Sequence, residues 1–235
     1  MYSFKSKLEV ALYGLAIGEN IGAQHEYRDI SSRQRKNIKP IIKDNRMGES
    51  LKMTLATCRC IQKDPQPRVG TIFEELDKVV SLSIESKGRS NISLSRIAPL
   101  AFLPYPFRAS DKYISQVSEL THKNRDTSEI CIDYVRLVQT LASTRMPPSY
   151  WEVPLATSDS GTAENTWRIV CECLRNCKDY KEALQWVLEY GGDSGVTGAV
   201  VGVTAALKNQ VTIPDEWCSI ISNSFIGSAI EESLF

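Results

Sequence analysis

Gly191-Gly192-Asp193-Ser194-Gly195-Val196-Thr197-Gly198 runs without a break into the apolar stretch AVVGVTAAL, residues 199–207. Two glycines and a carboxylate ahead of a helix start form a binding-type signature. Glycine lets the backbone approach closely, Asp193 serves as ligand or N-cap, and a helix N-terminus favours anions. The same residues also make a plain turn and cap. In either case the segment starts a helix, and the sequence around it is helical too.

Leu8, Leu12, Leu15 and Ile21, with small residues between them, predict a buried first helix with close neighbours. Residues 47–62 and 71–85 predict two more. Further helical segments fall at 95–103, 111–121, 126–144, 162–177, 180–190, 196–208 and 215–227. Asp179 with Glu182 three residues on reads as a capping box. Thr212 and Pro214 mark the start of the last helix. No alternating apolar and polar run bounded by turn signals demands a strand. The expectation is one all-α domain over residues 1–235, interrupted by non-helical stretches. One is a basic loop at 28–46, with seven Lys or Arg against two Asp; another is a proline- and aromatic-rich loop at 145–161. Residues 104–110 are of the second kind.

Composition narrows the function classes. At 235 residues the chain can bury a large core, and 42% hydrophobic with 24% charged residues is ordinary for a globular protein. Its formal net charge of zero gives no global field toward nucleic acid or acidic membranes, so neither is an expected partner. No apolar run is long enough for a transmembrane helix. The N-terminal stretch, interrupted by Glu9 and Glu19, suits an amphipathic helix better than a signal peptide. Seven cysteines without a regular framework imply reduced thiols and a cytoplasmic setting. Cys173 and Cys177 share a helix face while Cys171 points elsewhere, which favours buried thiols over a zinc set.

Four segments, in order, carry a resemblance. The first is Gly14-Leu15-Ala16-Ile17-Gly18-Glu19-Asn20-Ile21-Gly22-Ala23, ending in Glu26. The second is Asn91-Ile92-Ser93-Leu94-Ser95-Arg96-Ile97-Ala98-Pro99-Leu100. The third is Leu120-Thr121-His122. The fourth runs from Ser160-Gly161 through Asn165-Thr166-Trp167 and Lys181-Glu182-Ala183-Leu184 to Gly191-Gly192-Asp193 and Ile213-Pro214. Together they resemble the ADP-ribosylglycohydrolase family, which includes the dinitrogenase-reductase-activating glycohydrolases. The resemblance implies an all-α fold and a dinuclear Mg²⁺ or Mn²⁺ site that removes ADP-ribose from modified side chains. Hard divalent ions take oxygen ligands, and two of them can position a ribose diol and activate water.

The departures from the family pattern fall on the metal ligands. Aligning Met53-Thr54-Leu55 on the family's MTL puts Gly48-Glu49-Ser50-Leu51 where Thr-Asp-Asp-Thr is expected. In the last motif Asp193 is kept, Ser194 is a mild change, Gly195 replaces the second Asp and Val196 replaces the Thr. Glu19 stands where the family has Asp. The residual metal set is Glu49, Ser50 and Asp193, enough for one weakly held ion or for none. No cofactor is therefore the expectation, with Mg²⁺ or Mn²⁺ if a residual site persists.

Other residues carry two readings each. Glu26 aligns with the family's acidic residue near the scissile bond, and is the catalytic candidate if activity survives; otherwise it is a solvated surface carboxylate. Asp193, Ser194, Gly192, Ser160, Gly161 and Asn91 are the ligand-binding candidates. Against this, Asp193 reads as an N-cap, and Ser158, Ser160 and Gly161 as a polar turn. Arg96 can reach a phosphate or bridge carboxylates, with an ion pair to Glu19 or Glu49 at least as plausible. His122 is expected as a core histidine. Tyr105, Tyr150 and Trp151 can stack on an adenine, though packing of proline-rich loops is favoured. The basic loop lacks the interleaved aromatics of a single-strand binder.

The functional expectation is a catalytically degenerate family-like protein acting by binding. An immunity-type or inhibitory role fits it, engaging a protein partner such as an ADP-ribosylating enzyme or toxin. The alternatives are a residual metal-dependent hydrolase and a non-cleaving ADP-ribose reader.

Overall fold

Five helices begin where a hydroxyl or carboxylate accepts a backbone N–H three residues on. Ser6 accepts from Glu9, Ser110 from Tyr113, Thr162 from Asn165, Asp179 from Glu182 and Asp193 from Val196. Each cap satisfies one of the donors a helix start leaves without an intrahelical partner. The computed structural model describes residues 6–28, 37–43, 45–80, 90–144, 160–208, 213–221 and 226. Its helices are α1 (Lys7–Ala23), α2 (Glu49–Lys63), α3 (Val69–Asp77), α4 (Ile92–Ile97), α5 (Asp111–Ser118) and α6 (Arg125–Thr144), followed by α7 (Ala163–Asn176), α8 (Tyr180–Tyr190), α9 (Ser194–Leu207) and α10 (Asp215–Ile220). Among the described residues there is no strand, only an isolated bridge between Ser90 and Thr162. No described helix is long and apolar enough to cross a membrane.

The centre is the antiparallel pair α1 and α9. Nearly every residue of both is buried. A helix that is apolar all round must lie inside, so the rest of the molecule wraps this pair. Gly14 faces Gly202, Gly18 faces Gly198 and Gly22 faces Ser194. A Cβ added at Gly18 would meet the Gly198 carbonyl oxygen at under 3.0 Å, a separation real Cβ atoms essentially never show. The backbones are in direct contact, and only glycine allows that. Polar clasps hold the seam: Tyr180 Oη donates to Gly14 O (2.7 Å) and Ser194 Oγ to Gly22 O (2.8 Å). Around the pair, α9 also packs on α8, α7 and α6, while α2 packs on α4 and α3.

Several boundaries differ from the sequence expectation, each for a local reason. The third helix spans Val69–Asp77, and residues 81–85 lie outside the described set. The helix expected at 95–103 starts at Ile92 and tightens to a 3-10 turn over Ala98–Phe102, where Pro99 has no N–H to give. The helix expected at 196 starts at Ser194, because Asp193 itself is the cap. The Asp179–Glu182 box is formed one residue wide of the usual pattern, with the Lys178 N–H donating to Glu182.

Arg96 corrects a sequence reading. It pairs with neither Glu19 nor Glu49; it is fully buried and donates to Val117 O, Ser118 O and Thr121 Oγ1 at 2.9–3.0 Å. The last carbonyls of α5 have no intrahelical donors, and the planar guanidinium supplies them. Burial lowers its pKa to about 10. His122 is buried, and all seven cysteines are buried and unbridged. Tyr150, Trp151, Ser158, Thr212 and much of the 28–46 and 145–161 loops lie outside the described residues.

Candidate functional site

The end of the seam where α1 stops and α9 starts brings the expected site residues together. Gly191 and Gly192 both take positive φ, which turns the chain from α8 into the Asp193 cap. The Asp193 N–H donates to Ser160 Oγ (2.8 Å), so the turn before α7 and the turn before α9 are tied together. A side chain at Gly192 would collide with Ser160. Asn91 anchors the same turn from below: its N–H donates to Gly161 O (3.0 Å) and its amide to Thr166 Oγ1 (3.0 Å). Thr166 in turn meets Thr197 of α9 at 3.2 Å. Buried as they are, these bonds hold the two loops at the mouth of α9 in one arrangement.

Four carboxylates gather around this turn. Glu26, half-buried just past α1, is hydrogen-bonded to Asp193, and its pKa is pushed up to about 7. Burial is the main cause; the Asp193 bond and the charges of Asp193, Glu19 and Glu49 add to it. A second negative charge beside the Asp193 carboxylate is disfavoured, so Glu26 keeps its proton to higher pH. Its position also bears on Gly195. A Cβ at Gly195 would sit 3.3 Å from Glu26 Oε1, so the Glu26 carboxylate lies over the residue where the family motif has an aspartate.

Glu19 and Glu49 take different roles. Glu19 is buried, and its carboxylate accepts from the N–H groups of Ser50 (2.7 Å) and Leu51 (3.1 Å). It therefore caps α2 from α1, supplying the acceptor that Gly48 lacks. Burial raises its pKa against the lowering effect of those bonds. Gly48 is packed against the same carboxylate, which leaves no room for a side chain there without moving Glu19. Glu49 opens α2 and is exposed, while Ser50 is buried behind it. Among the described residues no group of three or more His, Cys, Asp or Glu stands placed to hold a metal ion.

Two features were not singled out in the sequence. Tyr27 follows Glu26 with φ of 47°, a left-handed backbone uncommon for a side-chain-bearing residue. Its N–H donates to Gly192 O (2.8 Å), which holds that conformation. Its ring is 65% exposed, and its hydroxyl lies near Ser160, Gly161 and Asp193. Burial and the Asp193 and Glu26 charges raise its pKa. The only sequence signal was an aromatic next to the motif's closing Glu26. Second, a cavity of about 470 Å³ opens between the C-terminal half of α1 and the segment before α2. Arg28, Lys43 and Arg46 line it beside Glu19 and Gln24. Burial, then the Arg28 and Lys43 charges, lowers the pKa of neighbouring His25. A cationic pocket thus flanks an acidic one.

The fold is shared with a solved protein. A chain from an "ADP-ribosylglycohydrolase-related protein complex" superposes with a TM-score of 0.74 at 17% identity, covering 97% of this chain and 96% of that one. The molecule therefore has the fold of an ADP-ribosylglycohydrolase-related protein. No protein-family model matches the chain, and no curated protein matches it.

Proposed function

We propose that this is a catalytically degenerate ADP-ribosylglycohydrolase-like protein that works by binding. The observation that carries the reading is the Glu26–Asp193 contact over Gly195. The acidic groups at this end are engaged with each other or with backbone: Asp193 with Glu26, and Glu19 with the α2 N-terminus. Donors arranged this way do not fit two divalent ions, which need several oxygens free to point at one centre. A partner protein, with an inhibitory or immunity-type outcome, is the occupant this reading favours. The similar solved chain, itself part of a complex, is in keeping with it.

A second reading, a non-cleaving ADP-ribose reader, is favoured by one specific observation. Arg28, which lines the cavity with Lys43 and Arg46, follows the exposed Tyr27 in the chain, so cations for a diphosphate and a face for an adenine come from neighbouring residues.

Calorimetric titration of free ADP-ribose, with excess Mg²⁺ and again with EDTA, separates these. Binding that ignores EDTA supports the reader, and no heat in either buffer supports the protein-partner reading. Release of ADP-ribose from a modified protein that needs Mg²⁺ or Mn²⁺, and disappears in Asp193→Ala, overturns both.

A further inference from the structure

Away from the acidic end, two cavities open on either side of Pro67 and Arg68. One, about 480 Å³, is lined by Arg68, Phe107, Arg108, Ser110, Lys112 and Tyr113 among others. The other, about 420 Å³, includes Arg59, Lys63, Asp64, Arg68 and Glu75. Pro67 and Arg68 line both, so the two adjoin as one basic cleft region with Pro67 at its waist, where Tyr113 Oη donates to Pro67 O (2.6 Å).

The charge in this cleft is one-sided. Arg59, Lys63, Arg68, Arg108 and Lys112 face only Asp64 and Glu75. Glu75 is already paired with Lys78 (2.6 Å), and Asp64 accepts from the Gln66 N–H (2.9 Å). The ion pairs formed among the described residues involve none of the five cations. In a chain of zero net charge this is a local concentration.

Two further features point to an anionic ligand of extended form. Helix α3, nine residues long, begins at the waist of the cleft with no side-chain cap on its N-terminus. The N–H groups of Thr71 and Ile72 donate to Arg68 O, and a Cβ at Gly70 would meet nothing within 4 Å, so space is open beside the first turn. An uncapped helix start between basic side chains is suited to a phosphate. Phe107, which lines the first cavity, is 39% exposed, and Tyr105, two residues before it on the same loop, is 88% exposed. Aromatic rings beside a cationic groove stack bases without reading their sequence. An acidic peptide would satisfy the charges but make no use of those rings.

We infer that this cleft binds a short single-stranded nucleic acid, with phosphates along Arg59, Lys63, Arg68, Arg108 and Lys112 and bases stacked on Tyr105 and Phe107. The cations come from three separate chain segments, so no basic run in the sequence marks the site. This inference is independent of the acidic end.

The test is fluorescence anisotropy with a labelled ten-nucleotide oligouridine and the full-length protein. Binding is expected at 50 mM salt, weakening as salt rises with a log–log slope of roughly −3 to −4, as release of about five counterions gives. Arg68→Glu with Arg108→Glu should reduce affinity at least about tenfold, and Tyr105→Ala at least about fivefold. Arg68→Gln with Arg108→Gln, milder for folding, should give a smaller loss in the same direction. Lys181→Glu, exposed on α8 and outside both cationic cavities, should change nothing. No binding at 100 µM protein, binding indifferent to both Arg68/Arg108 variants, or equal competition by a polyglutamate peptide would each overturn the inference; the last would assign the cleft to an acidic protein.

Discussion

Glycines 18 and 195 sit in two regions of the same helix pair, and what surrounds each differs in kind. A side chain at Gly18 would strike the backbone of α9. One at Gly195 would meet only the end of the Glu26 side chain, at 3.3 Å. Backbone in a packed seam cannot yield, whereas a carboxylate on a half-buried rim can swing. The lesson is that the seam tolerates no change in volume, while the rim can exchange its chemistry without loss of fold. Gly195, Val196 and Gly48, three of the residues that depart from the family pattern, lie at this end of the pair, whereas Ser194, a milder departure, keeps its place in the seam against Gly22.

The comparison can be broken at several points. Gly18→Val should have the largest effect, a loss of about 3 kcal/mol or more, at or beyond the upper end of overpacking. Urea unfolding checks it, and a near-wild-type midpoint would mean that the seam is not rigid. Arg96→Met should follow, at about 2–3 kcal/mol, because three buried acceptors lose their charged donor. An unchanged thermal midpoint would show that water replaces the guanidinium.

At the rim the effects should be smaller and dependent on pH. The raised pKa of Glu26 means that the folded protein holds this proton longer than the unfolded chain does. Its stabilising contribution is therefore complete below about 4.5 and is lost as pH rises through about 7. Wild-type stability should fall across that window, and Glu26→Gln should flatten the slope. Because Glu26 is only half-buried, solvent screening should hold the change to about 1 kcal/mol or less. Equal slopes in both proteins would rule out the raised pKa of Glu26. Gly195→Ala should be the mildest, within about 0.5 kcal/mol of wild type, since the helix propensity gained by alanine offsets the crowding of Glu26. A loss as large as that of Gly18→Val would erase the distinction between the two regions.

Parts of the candidate site were legible where a few neighbouring residues make a turn or a cap on their own. Asp193 read as a cap, and it caps α9; Ser160 and Gly161 read as a polar turn, and they form the turn tied to Asp193. Glu26 was singled out on its place in a motif, but nothing local says that its carboxylate lies over Gly195, more than a hundred residues away. Arg96 was misread because nearby carboxylates in the motif pattern drew it toward an ion pair. Its partners are carbonyl groups at the end of another helix, and every residue has a carbonyl, so the sequence carries no mark of them.

From the sequence alone come the all-α class, most helix positions, the Asp179 and Asp193 caps and the absence of several family carboxylates. These depend on periodicity, on side chains acting within three or four residues, and on residue identity, all of which are local. Tertiary structure alone decided the glycine seam of α1 and α9, the pairing of Glu26 with Asp193 and the gathering of five cations around Pro67. Each depends on distances between segments far apart in the chain, set by packing against a common core. A net charge of zero could not reveal the cationic cleft, because a sum over the chain says nothing of where folding places its charges.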